Sequence, residues 1–381
     1  MSEPNGNPSI LYTPRLARRD FLRRAGQVGL TLPLGAALAA CSKSSTPTST
    51  TSPTSSSPEP VTGKAVILNY AGWMGKQNVA HFEAAHPGAS IKQITEGSIS
   101  NGAVVAQIKA NPKLYDASLG DVAVVGQSMA ADILEPLDFS KIPNIKNVDE
   151  AFRKAYPHGV PSDYGKVGIG YRADLVEEDI TSWADLWRLA PKYSGKIVFL
   201  DFDRDSIGSA LKLLGFSTNT TSTSELDQAL QQLLAIKPHL QAILGYNVGT
   251  GLAKGTTYMA MDWDFDVALA QQSNANIKWV LPEEGATAYL EGFFAIKDTP
   301  RLAVLESFFD LFLEPKEYAD FVNTTGSAYV EQAATPYVDK TISGNKALVA
   351  DPTSLAKVEF ELFVGEAIAE YTKVWDQFKS A

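Results

Sequence analysis

The sequence predicts an α/β protein of two lobes with a cleft between them. Three observations predict it. Strand-like and helix-like segments alternate from Lys64 onward, a second such series starts near Gly165, and the N-terminus carries the marks of export. Repeated βα units imply a largely parallel sheet with helices on its faces. The chain has 381 residues, enough for two ordinary domains once targeting residues are set aside.

In the first series, Ala65–Asn69 is an apolar run with β-branched residues and reads as a strand. Asn78–Ala85 has helical spacing and stops before Pro87-Gly88. Ser90–Thr95 is a second strand, Ala103–Ala110 a second helix, and Ala117–Leu119 leads into a helix over Ala123–Ile133. In the second series, Val167–Tyr171, Ile197–Leu200, Tyr258–Met261, Ile277–Leu281 and Tyr289–Ile296 read as strands. Helices are expected over Trp183–Leu189, Ile207–Leu214 (stopped by Gly215), Ser224–Ile236, Gly249–Lys254 and Val267–Gln272. The tail is mostly helical, at Leu302–Leu313, Lys316–Asn323 and Glu361–Phe378.

Residues 1–40 read as a signal peptide. Arg18-Arg19-Asp20-Phe21-Leu22-Arg23 is a basic patch, and Val28 to Ala40 is an apolar run too short for a membrane span of about 20 residues. The run ends in Leu38-Ala39-Ala40-Cys41, where small residues precede the chain's single cysteine. The stretch resembles a twin-arginine signal joined to a bacterial lipobox, with Ala17 where Ser or Thr is usual. That resemblance makes Cys41 the lipid-attachment site. Residues 41–63, rich in Ser, Thr and Pro, cannot bury enough apolar surface to order themselves. They read as a tether of roughly 70 Å at full stretch and about 25 Å as a coil.

Composition narrows the function. With 45% apolar and 20% charged residues the body is that of a soluble globular protein. The formal net charge is -10, and the first forty residues hold five arginines against two acids, so the remainder is more acidic still. Such a surface repels nucleic acid and attracts cations. A lone cysteine excludes an internal disulfide and Cys-rich zinc sites.

In open α/β sheets ligands bind beyond the carboxyl ends of the strands. The predicted strands are followed by Tyr70-Ala71-Gly72-Trp73, Gly120-Asp121, Asp201-Phe202-Asp203-Arg204-Asp205 and Asp262-Trp263-Asp264-Phe265-Asp266, and a later strand begins Tyr289-Leu290-Glu291. Aromatic faces attract an alkylammonium and carboxylates accept its hydrogen bonds. Asp205 and Asp266 also suit the starts of the helices that follow them. Both Asp-x-Asp-x-Asp runs lack the Gly and Glu of a calcium loop, having Ser206 and Val267, then Lys212 and Ser273, at those places. Neither G-x-S-x-G nor H-E-x-x-H occurs, and His81, His86, His158 and His239 do not cluster in sequence.

Thr181-Ser182-Trp183-Ala184-Asp185-Leu186-Trp187, Lys192-Tyr193-Ser194-Gly195-Lys196, Tyr115-Asp116, Ile133-Leu134-Glu135-Pro136-Leu137-Asp138 and Leu281-Pro282-Glu283-Glu284-Gly285 carry a resemblance. Through them the whole body, roughly 64–381, resembles the periplasmic spermidine/putrescine-binding proteins of ABC transporters. The resemblance implies a type II binding-protein fold with chain crossings near 170 and 290. Lobe one would comprise 64–170 and 291–336, lobe two 171–290 and 337–381. It implies a lipid-anchored protein on the outer face of the bacterial cell membrane. There it would bind a polyamine as a monomer and pass it to permease subunits, with no cofactor, metal or catalysis. Carried over position by position, the ligand residues are Tyr70, Trp73, Asp121, Asp205, Trp263, Tyr289 and Glu291. Three of the family's positions depart: a serine falls on Asp121, an acid three residues before Asp205 falls on Phe202, and a late tyrosine falls on Ser327, with Tyr329 nearby. These changes keep open another small organic cation or an amino acid as ligand. More distant alternatives are an exported enzyme, which would need a nucleophile–base pair or metal cluster, and a structural lipoprotein.

Overall fold

A computed structural model describes residues 60–95 and 101–381. The expected signal peptide, Cys41 and the tether up to residue 59 lie outside the described residues.

Among the described residues, eleven strands form one continuous curled sheet: β1 Gly63–Leu68, β2 Ala89–Ile94, β3 Ala117–Asp121, β4 Leu134–Glu135, β5 Val160–Arg172, β6 Ile197–Leu200, β7 Leu240–Leu244, β8 Met259–Trp263, β9 Ile277–Val280, β10 Ala286–Ile296 and β11 Val358–Phe360. Its main order is β2-β1-β3-β10-β5-β8-β6-β7. The sheet organises two hydrophobic cores. Ile67, Phe82, Leu119, Phe293, Phe308, Phe309, Phe312 and Tyr318 belong to the first. Trp183, Phe199, Ile207, Leu233, Met261 and Tyr371 belong to the second. Each large side chain fully withdrawn from water contributes about 1.5–3 kcal/mol, so either lobe has its own means of holding together.

β5 joins the lobes. Its first half, through Lys166, pairs with β10, and its second half, from Val167, pairs with β8 and β9. A strand of 13 residues extends about 40 Å at ~3.3 Å per residue, enough to serve both lobes. β10 returns the chain: Ala286 sits in the second core and Leu290 in the first. The two crossing strands run in opposite directions, so pairing is mixed rather than largely parallel. Parallel ladders link β1 with β2 and β3, and β6 with β7 and β8. Antiparallel ladders link β10 with β3 and β5, and β5 with β8.

Three sequence expectations change. The strand expected at Val167 begins at Val160, because backbone pairing with β10 carries it through Pro161, Ser162, Asp163 and Gly165. The last helix is Ile368–Ser380, not Glu361–Phe378, and the stretch after β11 is irregular up to the short turn at Gly365. Val338, Ile342 and Leu348, expected with lobe two, pack in the first core, so the chain makes its last passage between Leu348 and Tyr371.

Candidate ligand-binding cleft

The loop after β1 is fixed by Asn69. Its amide donates to the Trp73 carbonyl at 2.7 Å and to Gln93 Oε1 at 2.9 Å, while its Oδ1 accepts the Tyr70 amide at 2.8 Å. Gly72 adopts φ +83° there, a conformation that favours glycine. Tyr70 and Trp73 are thereby presented to the crossing strands. Trp73 Nε1 donates to both carboxylate oxygens of Asp163 on β5 at 3.3 Å.

Asp121 ends β3 and is opposite Glu291 of β10, and Glu291 is opposite Asp163 of β5. Directly opposed residues share one face of a sheet, at Cβ separations of about 5 Å. Three carboxylates thus form a row across three adjacent strands. Asp163 is 0% exposed and Asp121 2%, whereas Glu291, Tyr70, Trp73 and Tyr289 keep part of their surface accessible. Burial pushes the Asp163 carboxyl up to about 7. Burial, then Asp163 and Asp121, hold Glu291 well above the usual carboxylate range.

A second acidic pair faces from the other lobe. Asp205 is in the first turn of the helix Asp203–Leu213, which starts earlier than expected, and accepts Trp263 Nε1 at 3.1 Å. Glu361, just past β11, interacts with it, carboxyl beside carboxyl. Burial raises Asp205 to about 7 and holds Glu361 well above its ordinary range, with Asp205 adding to the rise. Arg204 lies close enough to draw both down. Its guanidinium is held by the Leu362 carbonyl at 3.1 Å and Asn219 Oδ1 at 2.7 Å, over the Tyr371 ring at 4.5 Å.

Aromatic rings bridge the two acidic groups. Trp263 stacks on Phe265 at 5.7 Å, Phe265 meets Trp73 edge-on at 6.1 Å, and Phe202 meets Trp263 edge-on at 4.7 Å. Tyr289 has a buried hydroxyl with no hydrogen-bond partner among the described residues. Burial raises its pKa, and Asp163, Asp264, Glu291 and Asp205 add to the rise, which puts its ring within the field of both groups. An added Cβ at Gly165 would lie 2.4 Å from the Tyr289 ring, so only glycine lets that ring lie against β5.

The chain matches the model of a family described as bacterial extracellular solute-binding proteins over residues 77–348. It belongs to that family. A spermidine/putrescine-binding periplasmic protein of Salmonella typhimurium is 26% identical to this solute-binding protein over 297 residues, covering 76% of this chain and 85% of its own. The putrescine-binding periplasmic protein PotF of Escherichia coli is 25% identical over 339 residues, covering 82% and 90%. The solved TpPotD lipoprotein of Treponema pallidum superposes with a TM-score of 0.73 at 22% identity, over 83% of this chain and 99% of that one. The fold is the two-lobed type II fold of periplasmic binding proteins.

All seven residues singled out by sequence, Tyr70, Trp73, Asp121, Asp205, Trp263, Tyr289 and Glu291, border this one region. Sequence reasoning passed over Asp163, Glu361 and Phe265. Asp163 was hidden because Pro161-Ser162-Asp163 does not read as strand; the signal was its two-residue spacing from Gly165, which places both on one face of β5. Phe202, where the resemblance places an acid, packs against Trp263. Ser327 is buried and hydrogen-bonds Thr325 at 2.8 Å, while the Tyr329 hydroxyl is 3.1 Å from Thr335.

Proposed function

We propose that this protein captures a linear polyamine of the spermidine/putrescine type outside the cell and delivers it to the permease of an ABC importer. One observation carries the reading. Two groups of enclosed carboxylates, Asp121–Asp163–Glu291 and Asp205–Glu361, face each other across Trp73, Phe265, Trp263 and Tyr289. Ammonium groups neutralise buried acids that otherwise resist ionisation, and the methylenes between them suit the aromatic walls. The names of the relatives point the same way. The amine closes the lobes because its contacts with Glu291 and Asp205 form together only in the closed state, which shifts the population toward that state.

Cys41, behind Leu38-Ala39-Ala40, carries the lipid in this proposal and tethers the body to the membrane surface. Cys41→Ala should release the protein from membranes and abolish its labelling by fatty acid. The ligand reading is tested by a thermal-shift series on the mature body with putrescine, cadaverine, spermidine, spermine, betaine and basic amino acids. A ligand at a hundredfold excess over its Kd stabilises the native state by about 2.7 kcal/mol. A shift confined to betaine or an amino acid would reject the polyamine.

A further inference from the structure

Given the amine-binding function proposed above, the buried pair Lys166–Asp264 bears on where along its length an amine may carry charge. Lys166 stands where β5 passes from one lobe to the other: its partner is Ala288 on β10, and the next residue, Val167, is paired with Trp263 on β8. Asp264 follows Trp263 directly and begins the helix Asp264–Ser273. Both side chains are enclosed, Lys166 at 1% exposure and Asp264 at 0%. One carboxylate oxygen of Asp264 accepts the Lys166 main-chain amide at 3.1 Å and its ammonium at 3.0 Å, and the other accepts the Phe265 amide at 2.9 Å. The ammonium also lies 4.6 Å from the centre of the Tyr164 ring and 5.8 Å from that of Trp279. A carboxylate and ring faces are what an alkylammonium seeks, and here the chain fills such a set with its own side chain.

Main-chain N–H groups of a strand point along the sheet towards its neighbours, so the Asp264 carboxylate lies in the gap between the sheet's two faces. Lys166 reaches it from the face it shares with Tyr164. On the other face the Tyr289 ring packs against Gly165, the residue before Lys166. Trp263 and Phe265, on either side of Asp264 in the chain, stack on each other at 5.7 Å. These rings belong to the wall between the two acidic groups. Asp264 is thus an acid midway along that wall, and its charge is already matched.

We propose that Lys166, by holding Asp264, reserves the middle of the cleft for methylenes. The protein then selects an amine charged at its two ends over one of equal length with a further ammonium between them. A cation entering the middle finds the Asp264 carboxylate taken and meets the field of the Lys166 ammonium out of water, where like charges repel most strongly. It also gives up its hydration without replacement. Lys166 touches no ligand in this scheme; it is a selectivity residue that acts through Asp264.

The experiment is calorimetry on the mature body with putrescine, spermidine and 1,8-diaminooctane. The last two have the same number of chain atoms between their terminal nitrogens and differ only in whether the middle carries a charge. Wild type is expected to bind 1,8-diaminooctane about tenfold more tightly than spermidine, the size of an ammonium left without its charge-assisted hydrogen bond. Lys166→Met keeps the stem, removes the charge and frees Asp264. It should reverse the order by strengthening spermidine, a gain that damage to the fold would not produce. Lys166→Met/Asp264→Asn, with no charge at either place, should return the wild-type order. Wild type preferring spermidine overturns this inference and leaves the proposed function standing. So does putrescine binding with both longer amines excluded, since length would then decide. Equal weakening of spermidine and 1,8-diaminooctane in Lys166→Met also overturns it. Wild type binding none of the three overturns the proposed function as well. The double variant leaves no buried charge unpaired, so if Lys166→Met fails to fold the other two proteins decide: spermidine preferred in either one sinks the proposal, and 1,8-diaminooctane preferred in both sustains it.

Discussion

The two ends of the cleft solve the same electrostatic problem differently. At the first, Asp121, Glu291 and Asp163 line up on three strands whose backbone fixes their spacing, and the buried ammonium nearby on β5, Lys166, serves Asp264. At the second, Asp205 and Glu361 come from a helix and an irregular segment, meet side by side, and lie beside Arg204. The first end is rigid and strongly anionic, the second softer and partly compensated. An amine should therefore gain more at the first end, and the closed ligand-free state should be disfavoured mainly there.

Glu291 is the centre of the row, and the largest effect is expected from it. Glu291→Ala should weaken amine binding by about 2–5 kcal/mol, the range for truncating one partner of an enclosed charge pair. Its stability effect has the opposite sign. Removing a carboxylate that resists ionisation relieves repulsion, so Glu291→Gln should raise the melting temperature of the ligand-free protein at pH 8 while abolishing tight binding. The same logic fixes the pH dependence. Asp163 is raised from 3.8 to about 7, so between those values the folded chain holds more protons than the unfolded one. Ligand-free stability from this group falls as pH rises across that window, and ligand affinity rises. Melting curves at pH 5 and pH 8, with and without amine, check both signs.

Asp205→Asn should cost less, about 1–2 kcal/mol of binding, because Glu361 and Arg204 remain to rebalance that end. Equal losses from Asp205→Asn and Glu291→Gln would remove the asymmetry. Trp73→Leu and Trp263→Leu sharpen it further. Each loses a cation–π contact of about 0.5–2 kcal/mol and an indole N–H that binds a carboxylate, Asp163 in one case and Asp205 in the other. Trp73→Leu should be the worse of the two, since its partner carboxylate has the less compensated surroundings.

The contrast also explains what the sequence revealed. Strand ends announce themselves through short apolar runs followed by Asp, Trp and Tyr, so Trp73, Asp121, Asp205 and Trp263 are legible in the chain itself, whereas Glu291, inside β10, is reached through the family resemblance. What escaped depended on long-range pairing. Asp163 becomes a site residue only because β10 holds its polar segment as strand. Glu361 falls in a stretch whose composition suits a helix, yet Asn219 holds it open, donating to the Phe360 carbonyl at 2.9 Å and accepting the Leu362 amide at 2.8 Å. Asn219 is distant in sequence, so no local pattern reports it. The antiparallel crossing strands were likewise illegible, because direction of pairing belongs to topology and not to any one segment.

That open stretch supplies the smallest predicted effect and the most local one. Glu359 is anchored on the second lobe by Lys212, Ser217 and Thr218, and Phe363, four residues on, rests on the helix Val122–Ala130 of the first lobe. A Cβ built on Gly126 would lie 2.8 Å from Phe363 Cβ, so a methyl group there must push the segment away. Gly126 has no positive φ, so alanine suits its helix and should slightly favour it. Gly126→Ala should therefore leave the melting temperature of the ligand-free protein unchanged or raised, while weakening amine binding by about 1 kcal/mol through a less favourable closed state. Phe363→Ala, which removes the obstruction from the other side, should restore part of that loss in the double variant. A loss that Phe363→Ala fails to relieve would place the effect of Gly126 elsewhere than at the contact between the lobes.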